Sequence, residues 1–258
     1  MSTNADTELA AQRLEKIRQI LRERHVARVA ALSREFVVSP ATIRRDLLDL
    51  ESRGQVRRVH GGVVALDGRL DEPDFEDKTE LASRQKQRIA AAALTLTKPT
   101  DSVFLDGGST VLALAHLLGG MSQLTVVTNS LRVATVFSAE GPRLIVAGGE
   151  FRRLSQTLVG TLTRPLLEQL RVDTAFMGTI GLTAREGLTT TDPREAYTKE
   201  IVMAHARRVM LLADSTKIGK MSFVRFGTLD QVDVLITDKG VGRRELAELK
   251  KKVKVVCV

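Results

Sequence analysis

Apolar side chains recur at helical spacing in three stretches of the first 54 residues. The first two stretches predict helices over residues 8–24 and about 28–35. The third stretch places Ile43, Leu47 and Leu50 at i, i+4 and i+7, which is one buried stripe of a helix. Ser39 suits the N-cap of that helix, Pro40 its first position and Gly54 its end. The pattern therefore predicts three helices, of which the third is the best capped.

The side of the third helix that points away from the apolar stripe carries Ala41, Thr42, Arg44 and Arg45. A short helix with one buried side and basic residues near its N-terminus suits insertion into the major groove of DNA. The segment that follows, Gln55–Val59, has a β-like pattern and leads to the pair Gly61-Gly62. Three helices and such a strand are typical of a winged helix-turn-helix.

The wing would let basic side chains contact backbone phosphates or the minor groove. The predicted DNA-binding residues of the helix and wing are Ser39, Ala41, Thr42, Arg44, Arg45, Arg57, Arg58 and His60.

After a predicted helix at 81–97, short β-branched runs alternate with helical segments. The runs lie at 103–105, 124–127, 144–146, 174–177, 209–212, 232–236 and 253–256. The intervening helices fit at roughly 109–118, 130–138, 163–170, 193–206 and 242–251. Strands without polar alternation, separated by helices, predict a mainly parallel sheet covered on both faces. The fold class is thus α/β with an N-terminal helical DNA-binding domain.

Charge divides the chain further. Residues 1–62 hold 12 Lys and Arg against 8 Asp and Glu, so they carry half of the net charge of +8. Residues 67–80 reverse the sign, with seven acidic residues against Arg69 and Lys78. Phosphate would repel that acidic stretch, which we interpret as a linker. The predicted organisation is a DNA-binding domain at 8–64, a linker at 65–80 and an α/β domain at 81–258.

Several classes of protein are disfavoured. No apolar run approaches the roughly 18 residues of a membrane span, and the first residues lack a signal-peptide pattern. The single Cys257 excludes an intrachain disulfide, which fits a reducing cytosol. The four His residues lack zinc-ligand spacing, and the turn at 106–110 lacks the dinucleotide fingerprint, so neither a metal nor another cofactor is expected.

Ligands of open α/β sheets bind beyond the carboxyl ends of the strands. The first strand-to-helix turn there consists of Asp106, Gly107, Gly108, Ser109 and Thr110, and its glycines and helix N-terminus could cradle a phosphate. The same turn could simply cap the helix.

The other strand ends are also polar. They supply Thr128, Asn129, Ser130, Arg152, Gly178 and Lys217, and the predicted helix at 193–206 adds Glu195 and Lys199. Each could be a loop or cap residue, and Glu195 with Lys199 at i+4 could be a surface ion pair. Together they predict a crevice suited to a small phosphorylated polyol.

Two groups of residues resemble the DeoR/GlpR family of bacterial transcription regulators. The first is Thr42–Leu47 with Arg58–Gly62, and the second runs from Phe104–Thr110 to Ala213–Lys217. The resemblance implies an effector domain similar to ribose-5-phosphate isomerase. It also implies a cytoplasmic repressor that binds a phosphorylated sugar or polyol and, as a homo-oligomer (a dimer or tetramer), paired half-sites of a double-stranded DNA operator.

Two hypotheses follow. In the first, the chain is a repressor of a carbohydrate or polyol operon that a phosphorylated sugar relieves, and it is not an enzyme. In the second, it is a sugar-phosphate isomerase with an attached DNA-binding arm. Glu195 would then be the general base, and Lys199 or Lys217 would stabilise the developing charge.

Overall fold

A computed structural model describes residues 3–24, 26–52, 55–59, 61–65, 72, 75–137 and 141–258. The chain divides into two compact units, with the boundary between Pro73 and Asp74. Among the described residues, no helix combines the length and apolarity needed to cross a membrane. The two units are described separately.

The first unit contains three helices and a small sheet. In chain order the elements are α1 (Thr3–Arg24), β1 (Val26–Arg28), α2 (Val29–Glu35), α3 (Pro40–Ser52), β2 (Val56–Val59) and β3 (Gly62–Ala65). The strands pair antiparallel in the order β1-β3-β2. This arrangement confirms the predicted winged helix-turn-helix, although the sequence pattern indicated only one of its three strands, β2.

The core of the first unit comes from the three predicted apolar stripes. Ile43, Leu47 and Leu50 of α3 are at most 1% exposed and pack with Ile17 of α1 and Leu32 of α2. Burying one side of α3 in this way leaves its opposite side on the surface. The core therefore fixes which residues of α3 can reach a partner.

The second unit alternates strands and helices. In chain order its helices and strands are α4 (Phe75–Glu80), α5 (Ser83–Leu94), β4 (Ser102–Leu105), α6 (Ser109–Leu118), β5 (Thr125–Thr128), α7 (Leu131–Val136), β6 (Arg143–Val146), β7 (Glu150–Arg152), β8 (Thr157–Val159), α8 (Arg164–Leu167), β9 (Thr174–Met177), β10 (Gly181–Thr183), β11 (Gly187–Thr190), α9 (Pro193–Ala204), β12 (Val209–Leu212), β13 (Val224–Gly227), β14 (Val234–Thr237), α10 (Arg243–Lys250) and β15 (Lys254–Cys257). Short 3-10 helices lie at Thr161–Thr163, Ser215–Lys217 and Leu229–Gln231.

Seven strands form one parallel sheet in the order β15-β14-β12-β9-β4-β5-β6. Alternate residues of a strand serve opposite faces. Phe176 packs in a cluster with residues of α5 and α6, whereas its neighbours Ala175 and Met177 pack in a cluster with residues of α9. Helices thus cover both faces, which confirms the predicted mainly parallel α/β domain.

The structure also contains strands that the sequence analysis did not predict. The pair β7-β8 and the trio β10-β11-β13 are antiparallel and lie outside the main sheet. Residues 75–80 of the predicted linker form α4, and residues 66–71 of it lie outside the described residues. The predicted helix at 81–97 is shorter, since α5 ends at Leu94 ahead of Pro99.

Candidate functional site

Helix α3 begins with a side-chain cap. The Ser39 Oγ accepts a hydrogen bond from the Thr42 backbone N–H at 3.1 Å, and the two side-chain oxygens lie 3.0 Å apart. Ala41, Arg44 and Arg45 are exposed, and Thr42 is half-buried. The cap and the buried stripe together hold a basic surface at the start of α3, as a recognition helix requires.

An ion pair fixes the angle between α1 and α3. The Arg13 guanidinium donates from Nε to Asp46 Oδ2 at 2.6 Å and from Nη2 to Oδ1 at 3.1 Å. Asp46 is 7% exposed, although it follows the exposed Arg45 directly. Paired hydrogen bonds of this kind fix direction as well as distance. They orient α3 within the unit.

The wing is a hairpin in which Arg58 pairs with Val63 and Val59 with Gly62. Glu51 of α3 accepts hydrogen bonds from the Arg58 backbone N–H and from its Nε. These bonds, the backbone one first, lower the pKa of Glu51. Arg58, which is exposed, is therefore attached to the recognition helix.

Two other features of the wing bear on the prediction. The side chain of Arg57 and the whole of His60 lie outside the described residues. Gly61 has φ +75°, and a Cβ on Gly62 would lie 2.7 Å from the Ala27 carbonyl oxygen. The Gly-Gly pair is therefore needed for the turn and for the contact with β1.

A cleft at the carboxyl ends of β4, β9 and β12 brings together many of the predicted ligand-binding residues. It has a volume of about 530 Å³, part of it open to solvent. The predicted residues in its wall are Gly107, Gly108, Ser109, Thr110, Gly178, Glu195, Lys199 and Lys217. Lys78, Lys86, Val111, Thr179, Ile180, Thr190, Leu212 and Ala213 also line it.

Lys199 lines the cleft and belongs to a buried ion pair. Lys199 of α9 donates to Asp106 Oδ2 and, at 3.1 Å, to the Gly178 carbonyl oxygen. Asp106 also accepts from the Gly178 backbone N–H at 2.8 Å. The Lys199 ammonium lies 5.1 Å from the centroid of the Phe226 ring. Asp106 thus does not line the cleft itself but holds Lys199 and the turn at Gly178 in place.

A second charged network orients Glu195. Its Oε2 accepts from Thr190 Oγ1 at 2.9 Å and lies 3.6 Å from Arg152 Nη1. Arg152 also lies 3.3 Å from Asp192, the N-cap of α9. Burial opposes ionisation of Asp192, but hydrogen bonds from Arg194 and the charges of both arginines outweigh it and lower its pKa to about 2. Arg152 therefore does not line the cleft but helps to hold Glu195 in position.

Lys86 reaches the cleft from α5. It is 4% exposed, and its ammonium donates to the carbonyl oxygens of Lys78 and Leu81. Burial lowers its pKa to about 8; Asp214, 4.0 Å away, opposes this shift, and the charges of Lys217 and Lys78 add to it. The wall beside α6 therefore combines several cations.

The glycine turn before α6 permits close packing. A Cβ on Gly107 would lie 1.9 Å from the Thr157 Cγ2. Gly108 is the N-cap of α6 and offers no side-chain hydrogen bond to it. The N-terminus of α6 thus presents Ser109, Thr110 and Val111 to the cleft, and such a terminus favours anions.

Three further predicted ligand-binding residues lie outside the cleft wall, as Asp106 and Arg152 do. Thr128 Oγ1 donates to the Leu105 carbonyl oxygen at 2.6 Å, and Asn129 Nδ2 donates to the Leu158 carbonyl oxygen at 2.9 Å. Ser130 is the N-cap of α7. These side chains brace the loops next to the cleft.

The sequence analysis missed Lys86, Lys78, Thr179 and Thr190. A signal existed for Lys86 alone, because it continues the buried stripe of Ile89, Ala90 and Ala93. Within the described residues, no group of three or more His, Cys, Asp or Glu could hold a metal ion.

Solved structures resemble the chain only loosely. Ribose 5-phosphate isomerase A of Methanocaldococcus jannaschii aligns with a TM-score of 0.40 and 18% identity over 53% of this chain and 54% of that chain. That similarity is too low for an inference about activity.

Similarity in sequence extends over nearly the whole chain. An HTH-type transcriptional regulator, GlpR, of Haloferax volcanii is 35% identical over 89% of this chain and 90% of its own. The glycerol-3-phosphate regulon repressor of Escherichia coli K12 is 33% identical over 88% and 90%. The lactose phosphotransferase system repressor of Streptococcus mutans is 35% identical over 88% and 91%. Residues 13–69 match the DeoR-like helix-turn-helix domain and residues 81–239 match the DeoR C-terminal sensor domain, so the chain belongs to the DeoR family of transcriptional regulators.

Proposed function

We propose that the chain represses a carbohydrate or polyol operon in the cytoplasm and that a phosphorylated sugar bound in the cleft relieves repression. The observation that carries the proposal is the composition of the cleft wall. Four lysines, Lys78, Lys86, Lys199 and Lys217, line it together with the N-terminus of α6. Lysines and helix N-termini are common partners of phosphate.

The remaining wall suits the hydroxyl groups of a sugar or polyol. Glu195 offers carboxylate oxygens, and Thr179 and Thr190 contribute side-chain hydroxyls. The names of the relatives point the same way, since they include repressors of glycerol-3-phosphate and lactose phosphotransferase systems.

DNA binding would use the exposed side of α3, with Arg44 and Arg45 on base edges or phosphates and the wing on the backbone. A homo-oligomer would place two such helices on paired half-sites of a double-stranded operator. Effector binding would then act by favouring an oligomer geometry that does not match the half-site spacing.

The test is a thermal-shift screen of matched pairs: glycerol 3-phosphate with glycerol, and sugar phosphates with their free sugars. A ligand at 100 times its Kd adds about 2.7 kcal/mol of stability. We expect at least one phosphorylated compound to stabilise the protein while its unphosphorylated counterpart does not. Lys217→Met should weaken that response, whereas Lys220→Met, at an exposed lysine outside the cleft wall, should not.

We further propose that the cleft senses its ligand without converting it, in keeping with relatives that are named as regulators. The isomerase alternative gives Glu195 the role of base. Incubating the full chain with pentose and hexose phosphates distinguishes the sensor from the isomerase. Isomerisation of any of these compounds that Glu195→Gln abolishes would contradict the proposal.

A further inference from the structure

Helices α4 and α5 meet at a constrained junction. Ala82, which separates them, has φ +55°, in the left-handed region that residues with a Cβ seldom adopt. It offers α5 no side-chain cap. Such a conformation persists where neighbouring contacts enforce it.

The side chain that holds the turn at Ala82 in place is Lys86, which also lines the cleft. The buried ammonium of Lys86 donates to the carbonyl oxygens of Lys78 and Leu81, at the end of α4 and in the turn after it. Asp214 Oδ2, at 4.0 Å, is beyond hydrogen-bond distance. Among the described residues, therefore, two acceptors lie within reach of an ammonium that has three protons.

We propose that Lys86 links the cleft to this junction: an anion in the cleft accepts a hydrogen bond from the third N–H of its ammonium and thereby fixes the end of α4. The inference rests on the proposed function, since it requires an anionic ligand in the cleft. Hydrogen bonds from a charged ammonium are stronger than those from a neutral amine. The pKa of Lys86 is about 8, so its ammonium is already charged at neutral pH. An anion bound to its third N–H would hold that charged ammonium in place against both carbonyl oxygens.

The charges around Lys86 make its ammonium sensitive to an added anion. Lys78 on α4 and Lys217 after β12 repel its charge, and only Asp214 opposes them among the groups that shift it. An added anion changes this balance in favour of the ammonium. Helix α4 is also the first element of the second unit, directly after the segment that leads from the DNA-binding unit. Fixing it would restrict the chain at the place where the two units are joined in sequence.

Hydrogen exchange of the full chain tests the proposal, with inorganic phosphate as the probe and chloride at equal ionic strength as the control. We expect phosphate to slow exchange over residues 107–112 and, at least fivefold, over residues 79–86. Because Lys86 lines the cleft, Lys86→Met should bind phosphate more weakly. At a phosphate concentration raised until exchange over residues 107–112 is slowed as in the wild type, the variant should still show no slowing over residues 79–86. Arg84→Met, at an exposed position of the same helix, should behave like the wild type.

The outcomes are distinguishable. Phosphate could slow exchange of the wild type over residues 107–112 and leave exchange over residues 79–86 unchanged or faster. That result would overturn the proposed role of Lys86 but would leave the proposed ligand cleft intact. Unchanged exchange in both segments would contradict both proposals. Should Lys86→Met fail to fold, the comparison of the two segments in the wild type still decides.

Discussion

Arg45 is exposed on α3, two positions after the fully buried Ile43. If it makes a bidentate contact with a base, Arg45→Ala should weaken binding to DNA selected by the protein by about 1–3 kcal/mol and barely affect binding to random DNA. Fluorescence anisotropy on both DNAs measures this. Arg185→Ala, at an exposed arginine of the second unit, is the control. An equal loss on both DNAs would assign Arg45 to phosphate contacts.

The lowered pKa of Lys86 predicts a pH-dependent stability. In the folded protein the pKa is about 8, against 10.5 when unperturbed, so the unfolded chain binds more protons between these values. Charged Lys86 therefore costs stability below pH 8, and the cost is relieved as pH rises toward 10.5. Lys86→Met removes this titration. The free energy of unfolding of the variant minus that of the wild type should therefore fall by up to about 3 kcal/mol between pH 7 and pH 10.5. If calorimetry finds the same difference in stability between variant and wild type at pH 7 and at pH 10.5, this effect is excluded.

Single residues show where sequence reasoning reaches its limit. The polarity and chain position of Glu195, Lys199 and Lys217 predicted the residues that meet in the cleft. The same criteria selected Asn129, whose amide braces a loop instead. Which way a polar side chain points after a strand depends on loops packed from elsewhere, and these leave little trace in local sequence.

At the scale of elements, the ion pair between α1 and α3 should contribute strongly to the first unit. Asp46→Ala leaves the guanidinium of Arg13, whose side chain is 16% exposed, without its partner and should cost about 3 kcal/mol. Glu35→Ala breaks the exposed pair with Arg24, 3.9 Å apart, and should cost less than about 1 kcal/mol. Thermal unfolding of both variants measures the difference. Equal losses would mean that α3 is oriented by its apolar stripe alone.

The turn before α6 should tolerate no side chain at its first glycine. Gly107→Ala places a methyl group 1.9 Å from the Thr157 Cγ2, and Thr157 is fully buried. The expected cost is about 1–3 kcal/mol, together with weaker anion binding. Gly120→Ala, with nothing within 4 Å of the new methyl group, is the matched control. If both variants unfold at the wild-type temperature, Gly107 is not needed for packing.

Strands could be predicted from the sequence where apolar residues follow one another along the chain. All seven strands of the parallel sheet lie within a residue or two of the predicted runs, because strands covered on both faces are apolar throughout. The antiparallel strands β7, β8, β10, β11 and β13 have three or four residues each and mixed polarity. The pairs β7-β8 and β10-β11 are hairpins between neighbouring segments, and only β11 and β13 pair across a long separation in sequence. Strands this short and mixed in polarity carry no apolar run that would indicate them.

At the scale of the whole molecule, the chain consists of a helix-turn-helix unit and a sensor unit, with the boundary between them at residue 73. Composition predicted this organisation, since the first quarter of the chain carries half of the net charge and an acidic stretch follows it. The proposed coupling between the units could not be predicted from the sequence. It depends on a buried lysine that contacts main-chain oxygens, and any residue type supplies such oxygens.

The central claim is that a phosphorylated ligand in the cleft controls DNA binding by α3. The most direct test measures the Kd of the full chain for DNA selected by the protein from a random pool, with and without the phosphorylated ligand found in the thermal-shift screen. The account predicts that this ligand raises the Kd at least tenfold, that its unphosphorylated counterpart does not, and that Lys217→Met reduces the effect. A Kd that stays constant while the ligand demonstrably occupies the protein would contradict it.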